Sequence, residues 1–111
     1  MSKLHILWTN DNIYTSNMMV LMYSTNSMLH KLWDDVTVII WGPTARLVSE
    51  DELIQEQVRA AMHAGVHFSA CANCARQFGV TEKLESLGIE VMPWVEPLTN
   101  IIKTNKFLLT V

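Results

Sequence analysis

The sequence predicts a doubly wound, flavodoxin-like α/β sandwich, with a five-stranded parallel sheet between helices on both faces, and three observations carry this. Short runs rich in Val, Ile, Leu and aromatics recur at Lys3–Trp8, Val36–Trp41, Val66–Ala70, Ile89–Trp94 and Lys106–Val111. Helical periodicity fills the gaps between them, and alternation of this kind implies right-handed crossovers and parallel strands. The run Val36-Thr37-Val38-Ile39-Ile40-Trp41 reads as a strand buried on both sides, as parallel strands are. A chain of 111 residues has room for a single domain and one core.

Each connecting element has its own signal. The first helix spans roughly Asn12 to Trp33, and its apolar residues, among them Ile13, Tyr14, Met18, Met22, Leu29 and Leu32, cover more than one stripe. A second apolar face of that width is expected to meet another subunit; a deeply packed core helix is the alternative. Ser49 followed by Glu50-Asp51-Glu52 reads as a capping box for a helix that shows Ile54, Val58 and Met62 on one face and stops at Gly65. Thr81 is expected to cap a shorter helix through Leu84 and Leu87 with Gly88 as its stop, and Pro97 to open another carrying Leu98, Ile101 and Ile102.

Composition excludes several function classes. Half of the residues are apolar, 17% are charged and the net charge is −3, with Lys and Arg scattered singly. No basic footprint exists for nucleic acid or an anionic membrane. The longest nearly uncharged stretch, Ile13 to Leu29, is interrupted by Asn17, Ser24, Thr25, Asn26 and Ser27, so no membrane span is expected. The N-terminus runs directly into a strand pattern without an export signal. Two cysteines three positions apart cannot staple a secreted fold, and a reducing, cytoplasmic setting is expected.

In an open parallel sheet, ligands and reactive groups gather outside the carboxyl ends of the strands. Three loops qualify: Thr9-Asn10-Asp11-Asn12, Gly42-Pro43-Thr44-Ala45-Arg46 and Cys71-Ala72-Asn73-Cys74. The third alone offers a nucleophile. At the start of a helix over Ala72–Phe78, free backbone amides and the helix dipole would favour a solvent-reachable Cys71 thiolate over the thiol. The alternative is a buried small hydrophobe closing the strand. Cys74, about one turn on, would resolve a disulfide or persulfide or else face the core. Arg76 would lend positive charge or stay solvated; Asn73 would donate to a bound anion or persulfide, or cap the helix. Asn10 and its loop would hydrogen-bond a ligand or serve as a turn.

Other chemistries lack parts. A zinc site would draw on Cys71, Cys74, His67 and His63, but Gly65 interrupts a common helix face for the histidines, and no metal or cofactor is expected. Neither Gly-x-Gly-x-x-Gly nor the Walker pattern occurs. The Cys-x-x-Cys spacing alone is a weak thioredoxin signal here, without a Trp-Cys-Gly-Pro-Cys setting. Trp8, Trp41 and Trp94 end three predicted strands, with core or interface packing as the expected role.

The order of elements, together with the segment Ser69-Ala70-Cys71-Ala72-Asn73-Cys74-Ala75-Arg76-Gln77-Phe78-Gly79-Val80, resembles the DsrE/DsrF-like family of small sulfur-relay and related proteins, TusD-like members among them. Pro93-Trp94-Val95-Glu96-Pro97-Leu98-Thr99 is similar to the segment before that family's last helix and strand. The resemblance implies a flavodoxin-like fold, assembly into trimers or hexamers, and a persulfide on the cysteine that matches Cys71. Such a carrier would exchange sulfane sulfur with donor and acceptor proteins by thiol chemistry. Cys74 departs from the many members that place Asn-Ser or an alanine stretch there. The reading from another class is a non-catalytic oligomeric protein of the same fold that binds a small ligand or partner, with Cys71 passive.

Overall fold

The structure is a computed structural model that describes residues 2–111. Strands β1 (Lys3–Trp8), β2 (Asp35–Ile40), β3 (His67–Cys71), β4 (Glu90–Met92) and β5 (Phe107–Thr110) form one sheet in the order β4-β3-β2-β1-β5, and every neighbouring pair is parallel. The expected flavodoxin-like sandwich is present. Its two faces are clothed very unequally, and the strand order explains why.

From β1 to β4 the chain steps outward in one direction, so three right-handed crossovers place their helices on the same face. These are α1 (Ile13–Thr15), continued by a π-helical stretch Ser16–Leu21 and by α2 (Met22–Leu29), then α3 (Pro43–Glu50), α4 (Glu52–Ala64), α5 (Ala72–Phe78) and α6 (Thr81–Ser86). The last crossover returns past the whole sheet to pair β5 with β1, and stepping the opposite way sets its helix α7 (Val95–Lys103) on the other face.

Alternation along the strands sorts side chains between the faces. Leu4, Ile6 and Trp8, Val36, Val38 and Ile40, and Phe68 and Ala70 point into the main core, where Val20, Leu21, Ile54, Val58 and Leu84 meet them. Ile6 and Phe68 are at most 1% exposed, and each contributes about 2 kcal/mol by burial. The opposite face holds a smaller cluster of Ile39, Cys71, Trp94 and Ile101, bordered by Leu7, Met92 and Leu108. β2 is buried on both sides over Val38–Ile40 but only half so at Thr37.

Several local expectations change. Ser49 is not an N-cap: it lies inside α3, where its hydroxyl donates to the Arg46 carbonyl at 2.7 Å, and Asp51 caps α4 by accepting from the Ile54 amide at 2.9 Å. The Gly42-Pro43 turn starts α3, a helix in place of the loop read there, because Pro43 is preset for the first helical turn. Thr81 is the first residue of α6 and not its cap, and α7 begins at Val95, two residues before Pro97. The first helical segment ends at Leu29, short of Trp33, with Lys31 in the left-handed region at φ 55°. Trp33 instead donates to the Tyr23 hydroxyl and meets Phe107 edge-on. Trp41 and Trp94 lie just beyond their strands, Trp41 half-buried and Trp94 buried.

Ile13, Tyr14, Met18, Met22 and Leu29 are all exposed on this chain, as the breadth of the apolar pattern anticipates. No helix among the described residues is long and apolar enough to cross a membrane.

Candidate functional site

Three segments converge at the carboxyl edge of β2, β3 and β4. Cys71 is both the last residue of β3 and the N-cap of α5, with extended backbone at φ −64°, ψ 121° and no side-chain capping bond. That junction puts Cys74 one turn into the helix, where it packs against both apolar clusters. Cys74 thereby packs against the small cluster that contains Cys71. The β2–α3 turn at Gly42 stands at the end of the neighbouring strand. Gly42 holds φ 67°, and Thr44 ties the turn down, accepting from the Trp41 amide at 3.0 Å and donating to the Trp8 carbonyl at 2.8 Å.

The solvent-reachable Cys71 expected from sequence is not what the fold produces. Cys71 is 2% exposed, enclosed in the cluster with Ile39, Trp94 and Ile101. The last crossover brings α7 and Trp94 over the face on which Cys71 points, so the strand end is roofed rather than open. Cys74 is half-buried and is the more accessible sulfur. Burial pushes the Cys74 thiol above its usual range, since desolvation penalises the thiolate. The neighbouring Cys71 raises it further, against which the Gly42 backbone amide works to lower it. Cys74 is therefore held as a thiol at neutral pH.

The other candidates fall elsewhere. Asn73 and Arg76 lie on the exposed side of α5, where the guanidinium donates to the Asn73 side-chain oxygen. Cys71, and not Asn73, is the N-cap of α5. Asn10 follows β1, two strands away from β3, and works in a turn: its side chain accepts from the Asn12 amide at 2.9 Å and its carbonyl from the Trp8 indole and the Ser16 hydroxyl. The fold brings Cys71 and Cys74 together and leaves Asn10 apart from them.

A second group went unread in the sequence. The Trp94 indole donates to Ser69 Oγ at 2.7 Å, and the Ser69 hydroxyl donates to Glu90 Oε1 at 2.9 Å, with His67 Nε2 at 3.9 Å from the same carboxylate oxygen. Ser69 precedes Cys71 by two on the same strand face. The alternation His67, Ser69, Cys71 was the available signal; that Glu90 of β4 pairs with Ser69 follows only from register.

Towards the amino ends of the strands the same face opens. Lys3, His5, Asp35, Thr37 and His67 border a shallow depression there. His5 Nδ1 is buried without a hydrogen-bond partner, and burial, with Lys106, Lys3 and His67 around it, lowers the His5 pKa. Among the described residues no three His, Cys, Asp or Glu side chains gather closely enough to hold a metal ion.

Similar proteins agree on the fold. A conserved protein of unknown function from Bacteroides thetaiotaomicron is 34% identical, over 99% of this chain and 95% of its own, with a TM-score of 0.96. The ychN protein from E. coli and a protein of unknown function from Methanobacterium thermoautotrophicum are each 16% identical over the full length of both chains, with TM-scores of 0.75 and 0.79. No curated protein matches the sequence closely enough to be counted a relative. The DsrE/DsrF-like family model matches residues 1–99, nearly the whole chain and all of the Cys71–Cys74 region, and the chain belongs to that family.

Proposed function

We propose that this protein carries sulfane sulfur as a persulfide on Cys71, receiving it from a donor protein and passing it to an acceptor, with Cys74 as the neighbouring thiol. The observation that carries the reading is the placement of both cysteines, one helical turn apart and in one apolar cluster, at the carboxyl edge of β3 in a chain of the DsrE/DsrF-like family. In the loading step, the Cys71 thiolate attacks the outer sulfur of the donor's persulfide. The donor's S–S bond breaks, the donor cysteine leaves as thiolate, and a new Sγ–S bond forms on Cys71. No external oxidant is needed, because the transferred sulfur keeps its oxidation state.

Two discharge routes balance. An acceptor thiolate takes the outer sulfur and returns Cys71 as thiolate. Alternatively Cys74, after losing its proton to solvent, attacks Cys71 Sγ, hydrosulfide leaves, and a Cys71–Cys74 disulfide forms that a cellular thiol must reduce; the raised Cys74 pKa makes this the slower route. A reducing cytoplasm suits either route. The exposed apolar residues Tyr14, Met18 and Met22 support assembly of several copies, a trimer or hexamer.

The burial of Cys71 favours one other reading, a non-catalytic oligomeric protein that binds a small ligand or partner while the thiol merely packs. A single measurement separates them: protein-bound sulfane sulfur after incubation with a low-molecular-weight persulfide. Cys71→Ser is expected to abolish labelling and Cys74→Ser to retain it; equal labelling of Cys71→Ser and the parent removes the carrier reading.

A further inference from the structure

A thiol at 2% exposure offers no path to a donor's outer sulfur, so any transfer at Cys71 requires something above it to move. Of the buried groups that share its cluster, Ile39 belongs to a central strand and Ile101 to the body of α7, with Leu7, Trp41, Met92 and Leu108 packed at the border. Trp94 is different. It sits at the N-cap of α7, between the exposed residues Pro93 and Val95, where the chain has left the sheet and not yet become a helix. Besides packing in this small cluster, its ring is held by a short hydrogen-bonded chain: indole N–H to Ser69 Oγ, and Ser69 O–H to Glu90. The ring also meets His5 edge-on, with centroids 6.3 Å apart.

The inner link of this chain is dry and the outer one is wet. Ser69 is fully buried, whereas Glu90 is exposed and can exchange its bond for water. The Ser69 hydroxyl has one proton, and giving it to Glu90 aims its lone pairs at the indole. Each bond therefore polarises and orients the next.

We propose that Trp94 is the closure over Cys71 and that Ser69 and Glu90 are positioning residues which set how often it opens. The inference rests on Cys71 being the sulfur acceptor, and adds that access to it is governed by local opening at the start of α7 rather than by a standing channel. Such opening is expected where a cover at a helix start is held by one small cluster and two hydrogen bonds and not by a full layer of helices.

The test reads access to Cys71 directly. In the Cys74→Ser protein, so that one thiol reports, native-state alkylation by iodoacetamide is followed by mass. Trp94→Phe, Ser69→Ala and Glu90→Ala are each expected to speed labelling of Cys71 by about three- to tenfold, the effect of losing one such bond on an opening equilibrium. Glu90→Gln, whose side-chain oxygen still accepts from Ser69, is expected to label at the parent rate. Labelling should also depend on denaturant much less steeply than global unfolding does. Rates unchanged in all three variants, or a denaturant dependence as steep as global unfolding, overturn the closure.

Sulfane-sulfur loading of the same variants, with Cys71 intact, separates the two readings. Faster alkylation with no sulfur taken up by any variant removes the carrier reading and leaves the closure standing. Sulfur uptake with alkylation unmoved does the reverse.

Discussion

The two faces of this sheet are built from the same strands and differ in what the crossovers put over them. On one face, helical segments from the first three crossovers bury Ile6, Phe68 and their neighbours completely. On the other, α7 and Trp94 close only the half near the carboxyl ends, over Cys71, and leave His5, Thr37 and His67 towards the amino ends partly or fully in solvent. The covered face holds the main core; the sparsely covered face carries the smaller cluster and an open half. Cys71 thus owes its burial to one helix and its start, whereas Ile6 and Phe68 owe theirs to a layer of helices.

The sharpest way to break this comparison is to delete equal side chains from each face. Ile6→Ala, in the main core, is expected to cost about 4 kcal/mol, and Ile101→Ala, in the small cluster under α7, about 2 kcal/mol, since the thinner layer can collapse onto the gap. Urea unfolding with unchanged slope measures both; equal losses would show the two faces to be energetically alike.

A smaller effect concerns the accessible thiol. Burial first, and Cys71 second, hold the Cys74 proton on, so its alkylation rate should climb through a midpoint above that of free cysteine, about 8.5. Cys71→Ala removes the neighbour and should bring the midpoint partway down, leaving the burial contribution. A midpoint at or below the free value contradicts the crowded, desolvated geometry described for the pair.

The least effect is expected on the open half. Burial, then Lys106, Lys3 and His67, lower the pKa of His5 in the fold. Below about 6.5, where imidazole in the unfolded chain takes up a proton, the folded chain does not follow until the pH has dropped further. Across that window the unfolded state binds more protons, so stability falls as pH falls, and below the folded pKa the deficit stays constant. Denaturation midpoints measured from pH 7.5 to 5 should show this loss, and His5→Gln should flatten it; an unaltered slope would place His5 outside the response.

Much of the architecture was legible. The five apolar runs, Gly65 and Gly88 as helix stops, and Cys71 at a strand–helix junction all follow from local composition and periodicity. Errors collected where two local signals overlap. Ser49 and Asp51 both suit an N-cap, and the choice fell to Asp51 because Pro43 had already begun a helix that runs through Ser49. The exposure of Asn73 and Arg76, by contrast, depends on how α5 is turned against the sheet, which local sequence does not specify.

By itself, then, the sequence determined which segments become strands and helices, the parallel class of the sheet, and the thiol pair one helical turn apart, because each depends on residues within a few positions of one another. Only the tertiary structure decided that Cys71 is roofed, that Trp94 hangs from Ser69 and Glu90, and that Asn10 stands away from the thiols. Those outcomes depend on strand order and register, and the single return crossover that lays α7 across the sparsely covered face is set by the packing of the whole chain.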